Sequence, residues 1–490
     1  MNLNFKSFIR SLGVLMMVMG AAMVLPLIVS AIYNEKDVVL SFIYTIIPVS
    51  LVGFVIYHKV IPTESHHLTV RDGFLTVSVC WILASAISSV PFVLSGAIPN
   101  IFDAFFECSS GLTTTGATAL SEVEGLPRGI LFWRAFTHWL GGMGILVFAA
   151  ALLPSLGISA NILAAAEAPG PTMDKISPKI SDTAKTLYKI YAVMTFTQII
   201  LLMWAGMDLF DASTHTFGSV GTGGFSNYNN SVAHFNSVGI EIIITVFMIL
   251  SGVNFNLYFY TFRKRGGIKN LLADEEFRLY IYIILIISLL ISVNLWFSET
   301  YKGFGQSFRY SIFQTVSILT TTGFATADYD IWPTFSRMLI FTLMLIGGCS
   351  ASTAGGVKVI RILVILRLIK RSIQVRLHPN AIITIKVNEK KLSIDTVSEI
   401  ASFTFLHILL VAICTMLISL DGFDILTNLS AALTCIGNVG PGFNLIGPSL
   451  NFSIYSNASK FLLSFIMLAG RLELYTFIML LMPKFWQQDR

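Results

Sequence analysis

The sequence predicts an all-α polytopic membrane protein, with two N-terminal helices and then four pseudo-symmetric helix–loop–helix repeats around one central pore. Three observations predict it. First, 54% of the 490 residues are hydrophobic and only 12% are charged, whereas roughly a quarter of a soluble domain is charged; the mean hydropathy is +0.75. Second, one polar, glycine-bearing stretch recurs. Leu112-Thr113-Thr114-Thr115-Gly116-Ala117-Thr118 is echoed by Val220-Gly221-Thr222-Gly223-Gly224-Phe225-Ser226, by Leu319-Thr320-Thr321-Thr322-Gly323-Phe324-Ala325 and by Gly437-Asn438-Val439-Gly440-Pro441-Gly442. Third, each stretch follows a short apolar run of about three turns, which reaches only part-way through a hydrocarbon core of roughly 30 Å. Re-entrant hairpins fit that pattern, because irregular backbone at membrane depth survives only where protein buries it or a wet path is lined by it.

The chain begins with an apolar span from about Ser11 to Ile32, a polar link at Asn34-Glu35-Lys36-Asp37 and a second span to about Tyr57. Its hydrophobic run is too long for a removable signal and lacks a small-residue cleavage site. The four repeats then follow, with loop glycines at intervals of roughly 110 residues, as duplication of one unit would leave them. Unit one uses Thr69–Leu94, the loop at Gly116 and Ile130–Leu153; unit two uses Leu187–Met207, Gly224 and Val238–Phe262. Unit three uses Phe277–Phe297, Gly323 and Phe335 to about Leu368; unit four uses Val397–Leu420, Gly440 and Phe461–Met482. The boundaries that result are 1–62 for the two extra helices, then 63–158, 159–270, 271–375 and 376–490. Asp103 and Asp211 stand at the same distance before Gly116 and Gly224. Both are expected to cap the short helices and meet the positive dipole ends.

Ten spans would put both termini on one side. Of the basic residues, Lys36, Arg128, Arg134, Lys302, Arg309, Arg337 and Lys460 fall on one face, Arg471 lies within the membrane, and the rest crowd the other face. The crowded face is cytoplasmic by the positive-inside rule. The four loops therefore open outward, where Glu122, Glu124, Asp328 and Asp330 are placed to gather cations. The net charge of +5 reflects this asymmetry and does not point to a nucleic-acid partner. Cys80, Cys108, Cys349, Cys414 and Cys435 are scattered without metal-like spacing, so they read as membrane-core residues.

A cation leaving water must regain its hydration energy from fixed oxygens, and glycine lets successive carbonyls point inward. Thr114-Thr115-Gly116, Thr222-Gly223-Gly224, Thr321-Thr322-Gly323 and Asn438-Val439-Gly440 would each supply one wall of such a filter. A second feature is the run Gly347-Gly348-Cys349-Ser350-Ala351-Ser352-Thr353-Ala354-Gly355-Gly356. Ten small or polar residues cannot form a lipid-facing helix, so the run is buried or lines the path. A flexible constriction below the filter is the functional reading, and close helix packing through small residues is the structural one.

Arg471, in Leu-Ala-Gly-Arg-Leu-Glu-Leu, sits inside the last apolar span, where a basic residue costs at least about 2.5–3.5 kcal/mol. It faces either the wet path, as a barrier to cations, or a carboxylate such as Glu473 or Glu241. Lys358 and Arg361 mark the cytoplasmic end of the path or snorkel to the interface. His138 reads as a hydrogen-bonded packing residue. Gly141-Gly142-Met143-Gly144 follows no strand, so it is not read as a nucleotide loop. No Ser/His/Asp set, HExxH or phosphate-cradling loop appears, and nothing argues for an enzyme. A Na⁺- or H⁺-coupled carrier would need a titratable site within the membrane, for which Glu241 and Glu473 are the main candidates.

The fourfold plan, Thr-Thr-Thr-Gly-Ala-Thr at 113–118, Thr-Thr-Thr-Gly-Phe at 320–324, Gly-Asn-Val-Gly-Pro-Gly at 437–442, the 347–356 break followed by Val-Lys-Val, and Ala-Gly-Arg-Leu-Glu at 469–473 together resemble the TrkH proteins of the Trk/Ktr/HKT potassium-transport superfamily. The resemblance spans essentially the whole chain. It implies a bacterial inner-membrane homodimer with a pore in each subunit, K⁺ as the permeant ion, no covalent cofactor, and a cytosolic TrkA-like nucleotide-binding ring as regulator. It maps filter glycines to Gly116, Gly224, Gly323 and Gly440. It maps the intramembrane gate to Gly347, Gly348, Ser350, Ser352, Thr353, Gly355 and Gly356, and the pore arginine to Arg471. In plant relatives serine at the first glycine goes with sodium selectivity, so four glycines imply potassium. The fourth loop departs from Thr-Gly by using Asn438-Val439. Docking of the ring is expected on the basic stretches Lys175–Lys189 and Lys358–Lys391.

Overall fold

The computed structural model describes residues 5–60, 69–144, 180–263, 267–381 and 383–487. These are almost wholly helical, with a single two-stranded hairpin in which Lys386–Val387 pairs with Lys390–Lys391. The all-α expectation holds. Polarity is inverted relative to a soluble protein: Phe196, Ile200 and Trp204 are exposed along Ile180–Trp204, while Ser109, Thr214, Gln314, Thr315, Asn428 and Thr434 are fully or almost fully buried. Apolar side chains outside and hydroxyls inside are what lipid on one side and a polar axis on the other would select.

Ten continuous spans are not what forms. Among the described residues six helices are long and apolar enough to cross a membrane: Phe5–Ile32, Lys36–Lys59, Arg71–Leu94, Ala184–Trp204, Glu275–Phe297 and Ile394–Asp421. A seventh is the pair Val238–Ser251 and Phe255–Thr261, bent by 89°. The first two helices pack on one another and on Val70–Leu94. Their linker reaches further, since Glu35 accepts from the amides of Arg128 (2.5 Å) and Gly129 (2.9 Å) at the start of Arg128–Gly142.

The breaks are more numerous than the small-residue run at 347–356 suggests. Arg128–Gly142 ends at Met143, and Gly144 has φ +79°; the rest of the span expected to Leu153 lies outside the described residues. Val238–Ser251 breaks at Gly252, Thr334–Ile346 at Gly347, and Asn457–Arg471 at Leu472, with Glu473 and Leu474 at positive φ before Tyr475–Leu481. Continuous helices over 238–262 and 461–482 are therefore corrected to broken ones. Each broken helix leaves orphan carbonyls in the interior, and these recur below as acceptors.

Four short helices, Ile101–Leu112, Leu209–Val220, Phe304–Leu319 and Ile425–Gly437, each run directly into one of the glycine loops. Their 12 to 16 residues make about 18–24 Å of helix, short of a full crossing. Their caps differ from expectation. Asn100, Asp208 and Asp424 are the N-caps, accepting from the amides of Phe102, Asp211 and Thr427. Asp103 and Asp211 sit one turn in, where Asp103 pairs with Lys460 at 2.6 Å and Asp211 accepts from Asn227 Nδ2 and the Tyr228 hydroxyl.

Candidate functional site

The four loops share one backbone. The residue two before the final glycine is left-handed in every case, at φ +57° for Thr114, +55° for Thr222, +55° for Thr321 and +54° for Asn438. The glycines themselves have φ +80°, +80°, +81° and +101° at Gly116, Gly224, Gly323 and Gly440. A β-branched residue in this region is strained, and the sequence gives no warning of it. Asn tolerates the left-handed region better, so the departure of the fourth loop from Thr is conformationally apt.

The loops close on one another. A Cβ on Gly116 would collide with the carbonyl oxygen of Gly223, one on Gly224 with that of Thr322, one on Gly323 with that of Val439 and one on Gly440 with that of Thr115. Each glycine thus faces the carbonyl of the residue just before the glycine of the next loop, and the fourth returns to the first. The filter residues named from sequence are brought together around one axis. Above them is a cavity of about 310 Å³ lined by Gly116, Gly224, Gly323 and Gly440 together with Thr118, Ser226, Asn229, Asn451 and Arg134. The carboxylates expected to gather cations there are partly engaged: Asp330 pairs with Arg337 at 2.7 Å, Asp328 caps a short turn, and Glu124 accepts from the Asn229 amide.

Side-chain hydrogen bonds fix the ring. Thr113 and Thr115 hydroxyls meet at 2.7 Å, as Thr320 and Thr322 do at 2.8 Å. Asn438 Nδ2 donates across loops to the Thr115 hydroxyl at 2.9 Å and back to the carbonyl of Met467 at 3.0 Å. The hydroxyl of Thr114 and Oδ1 of Asn438 are buried without a hydrogen-bond partner among the described residues.

The break after Ile346 lies directly beneath. The Gly355 amide donates to the Thr321 hydroxyl at 2.7 Å, and a Cβ on Gly355 would collide with the carbonyl of Gly437. The run is also stitched to the bend at Gly252: Cys349 N donates to Gly252 O at 2.9 Å, Thr353 Oγ1 to Ser251 O at 3.1 Å, and Phe255 N to Ala351 O at 3.0 Å. Glu276, which sequence reading missed, accepts from Ser350 N (2.6 Å), Ser350 Oγ (2.7 Å) and Ile360 N (3.2 Å) while almost fully buried. An acidic residue in a helix's first turn looks like an ordinary dipole complement, which hides this role.

Arg471 donates through Nη1 to the Thr353 carbonyl at 2.8 Å and through Nη2 to the carbonyls of Gly141 and Gly142 at 2.7 Å each. The carboxylates proposed for it are engaged elsewhere, Glu473 with Arg361 and Glu241 with Arg309, the latter at 2.6 Å. Lys358 and Arg361 do not snorkel. Both are buried, with Lys358 Nζ on the Ala354 carbonyl and Arg361 against Glu473 and over the Phe403 ring. A second missed pair is Glu107 with Arg134, at 2.5 Å and buried. Glu107 also receives the Ala119 amide, and Arg134 donates to the Ser226 carbonyl. Its signal was a carboxylate in the middle of Phe-Phe-Glu-Cys-Ser-Ser-Gly, a buried-looking short helix.

Long helices with exposed apolar faces, together with four short helices whose glycine loops join in a ring, define a multi-pass membrane protein. A family model described as TrkH, cation transport protein, matches residues 34–488. The chain belongs to that family. It is 38% identical to the "Trk system potassium uptake protein TrkH" of Vibrio parahaemolyticus over 99% of this chain and 100% of that one. It is 36% identical to the protein of the same name from Escherichia coli K12, with 99% and 100% covered. Against the crystal structure of the potassium transporter TrkH from Vibrio parahaemolyticus, the TM-score is 0.88 at 36% identity, covering 99% of this chain and 100% of that one.

Proposed function

We propose that this chain is a potassium-selective uptake channel or channel-like transporter, passing K⁺ down its electrochemical gradient through the ring of four loops. One observation carries the reading: the closed sequence of contacts from Gly116 to Gly223, Gly224 to Thr322, Gly323 to Val439 and Gly440 to Thr115. It brings backbone oxygens from four loops around one axis, the chemistry that replaces a cation's hydration shell. The relatives' names supply the ion. In this reading Thr114–Gly116, Thr222–Gly224, Thr321–Gly323 and Asn438–Gly440 form the filter, and Gly347–Gly356 is a gate beneath it. Arg471 sets the barrier by holding that gate.

The same reading takes 63–158, 159–270, 271–375 and 376–490 as four repeats. It places both termini in the cytoplasm of a bacterial cell and the chain in the inner membrane as a homodimer. A TrkA-like nucleotide-binding ring would dock on the basic stretches Lys175–Lys189 and Lys358–Lys391, of which residues 175–179 and 382 lie outside the described residues. A coupled carrier is less well supported, since Glu241 and Glu473 are both in ion pairs. The test is uptake into liposomes holding the purified protein, with growth rescue of cells lacking potassium uptake. Rb⁺ and K⁺ are expected to enter well ahead of Na⁺, and Gly116→Ser to narrow that difference. Equal Rb⁺ and Na⁺ fluxes in the wild type overturn the assignment.

A further inference from the structure

His138 is fully buried on Arg128–Gly142, and its ring bridges the end of the first short helix, just before the first loop, and the second loop. Nδ1 lies 2.7 Å from the carbonyl of Gly111, at the end of the first short helix. Nε2 lies 3.1 Å from the amide of Phe225, directly after the second loop's glycine. An amide can only donate, so Nε2 accepts and Nδ1 carries the proton given to Gly111. The two backbone groups therefore fix a neutral imidazole in one tautomer. The ring lies 4.2 Å from that of Phe225, and it occupies the space that a Cβ on Gly223 would need. Gly223 supplies the carbonyl that faces Gly116. One turn earlier on the same helix, Arg134 joins Glu107 to the Ser226 carbonyl and lies 3.5 Å over the Phe225 ring.

Each of the other neighbouring loop pairs is joined differently. The Ala325 amide donates to the Ser231 hydroxyl and its carbonyl accepts from the Ala233 amide, the Tyr329 hydroxyl donates to the Gly442 carbonyl, and between the fourth and first loops the Phe452 amide donates to the Thr118 carbonyl and Asn438 Nδ2 to the Thr115 hydroxyl. At the first pair the joint sits behind the ring itself, at the level of Gly223. There the imidazole packs directly against the backbone of Gly223, whose carbonyl faces Gly116.

We propose that His138 is a positioning residue for ion selectivity: a neutral imidazole strut that sets the separation of the first and second loops without touching the ion. The inference rests on the reading of the loops as a filter. The test compares the ratio of Rb⁺ to Na⁺ uptake in liposomes for His138→Phe, which keeps a ring but makes neither bond, and His138→Gln, whose amide can still give and take one hydrogen bond. The ratio should fall about tenfold in His138→Phe, the size expected for a lost buried hydrogen bond of about 1.4 kcal/mol, with Rb⁺ flux itself changed less. His138→Gln should recover most of it. Gly223→Ala should lower the ratio alone, and its effect should not add to that of His138→Ala, because the alanine methyl takes the vacated ring space. A merely structural histidine would lower both fluxes in parallel at constant ratio, and that result, or full additivity in the cycle, overturns the proposal. If His138→Phe does not insert, His138→Gln and the Gly223 cycle decide by the same measurement. A wild type that fails to prefer Rb⁺ would instead sink the filter reading, so the two failures are distinct.

Discussion

The guanidinium of Arg471 donates to the carbonyl of Thr353 at 2.8 Å while its second nitrogen holds Gly141 and Gly142. One side chain thus ties the run at 347–356 to the end of the first unit's helix. A planar fork can satisfy acceptors on two elements at once, which an ammonium cannot do with the same geometry. Arg471→Gln is expected to release the run and raise basal K⁺ flux several-fold in liposomes. Arg471→Lys separates the two roles of the residue. It should behave as Gln if the tether governs flux, and wild-type flux with Lys would show that charge alone governs it.

Glu276 holds the same run from the other side. With hydrogen bonds to a charged group contributing about 1.5–3 kcal/mol each before losses elsewhere, Glu276→Gln should loosen Ser350 and the start of Val359–Leu377 together. Cys349, a buried free thiol next to Ser350, reports on this directly. Its labelling by a small maleimide should speed up by an order of magnitude in the variant, and an unchanged rate would deny Glu276 the anchoring role.

The Glu107–Arg134 pair predicts a stability effect. Arg134→Leu leaves the buried Glu107 carboxylate without its counter-charge, held only by the Thr118 hydroxyl and the Ala119 amide, and breaking a buried pair costs up to about 3–5 kcal/mol. Thermal unfolding in detergent should drop markedly, and Glu107→Gln combined with Arg134→Leu should restore much of the loss. Equal stability of the single and double variants would mean that Glu107 finds another partner.

Gly440 offers a sharper version of the glycine argument, because its alanine variant meets both a positive φ of +101° and the carbonyl of Thr115. The left-handed conformation alone costs an alanine about 1–2 kcal/mol. Gly440→Ala should reduce K⁺ uptake strongly, whereas alanine at the exposed turn glycine Gly96, which shares a positive φ of +72° but has nothing within 4 Å, should leave uptake intact.

Much of this site was legible in the sequence because its signals are local. Glycines after threonines, ten small residues in an apolar run, and one arginine among leucines are each visible without knowing what they touch. The pairings were not legible. Nothing in Asp274-Glu275-Glu276 says that the third carboxylate turns inward to Ser350, far along the chain. The bend at Gly252 hides in Ser251-Gly252-Val253-Asn254, too brief to disturb a hydropathy window. Asp103 and Asp211 look like caps because they align with one another, but the caps are Asn100 and Asp208, three residues earlier. The left-handed threonines were invisible, since β-branched residues argue against that conformation and only closure of the ring overrides the preference.

That closure has a bearing on biogenesis. Thr114, Thr222 and Thr321 each hold a strained left-handed backbone, and Asn438, which braces the first loop by donating to the Thr115 hydroxyl, belongs to the loop that is made last. In the proposed reading the ring is complete only when the fourth hairpin meets the first through Gly440 and Asn438, so a chain that stops before that hairpin would have no finished filter.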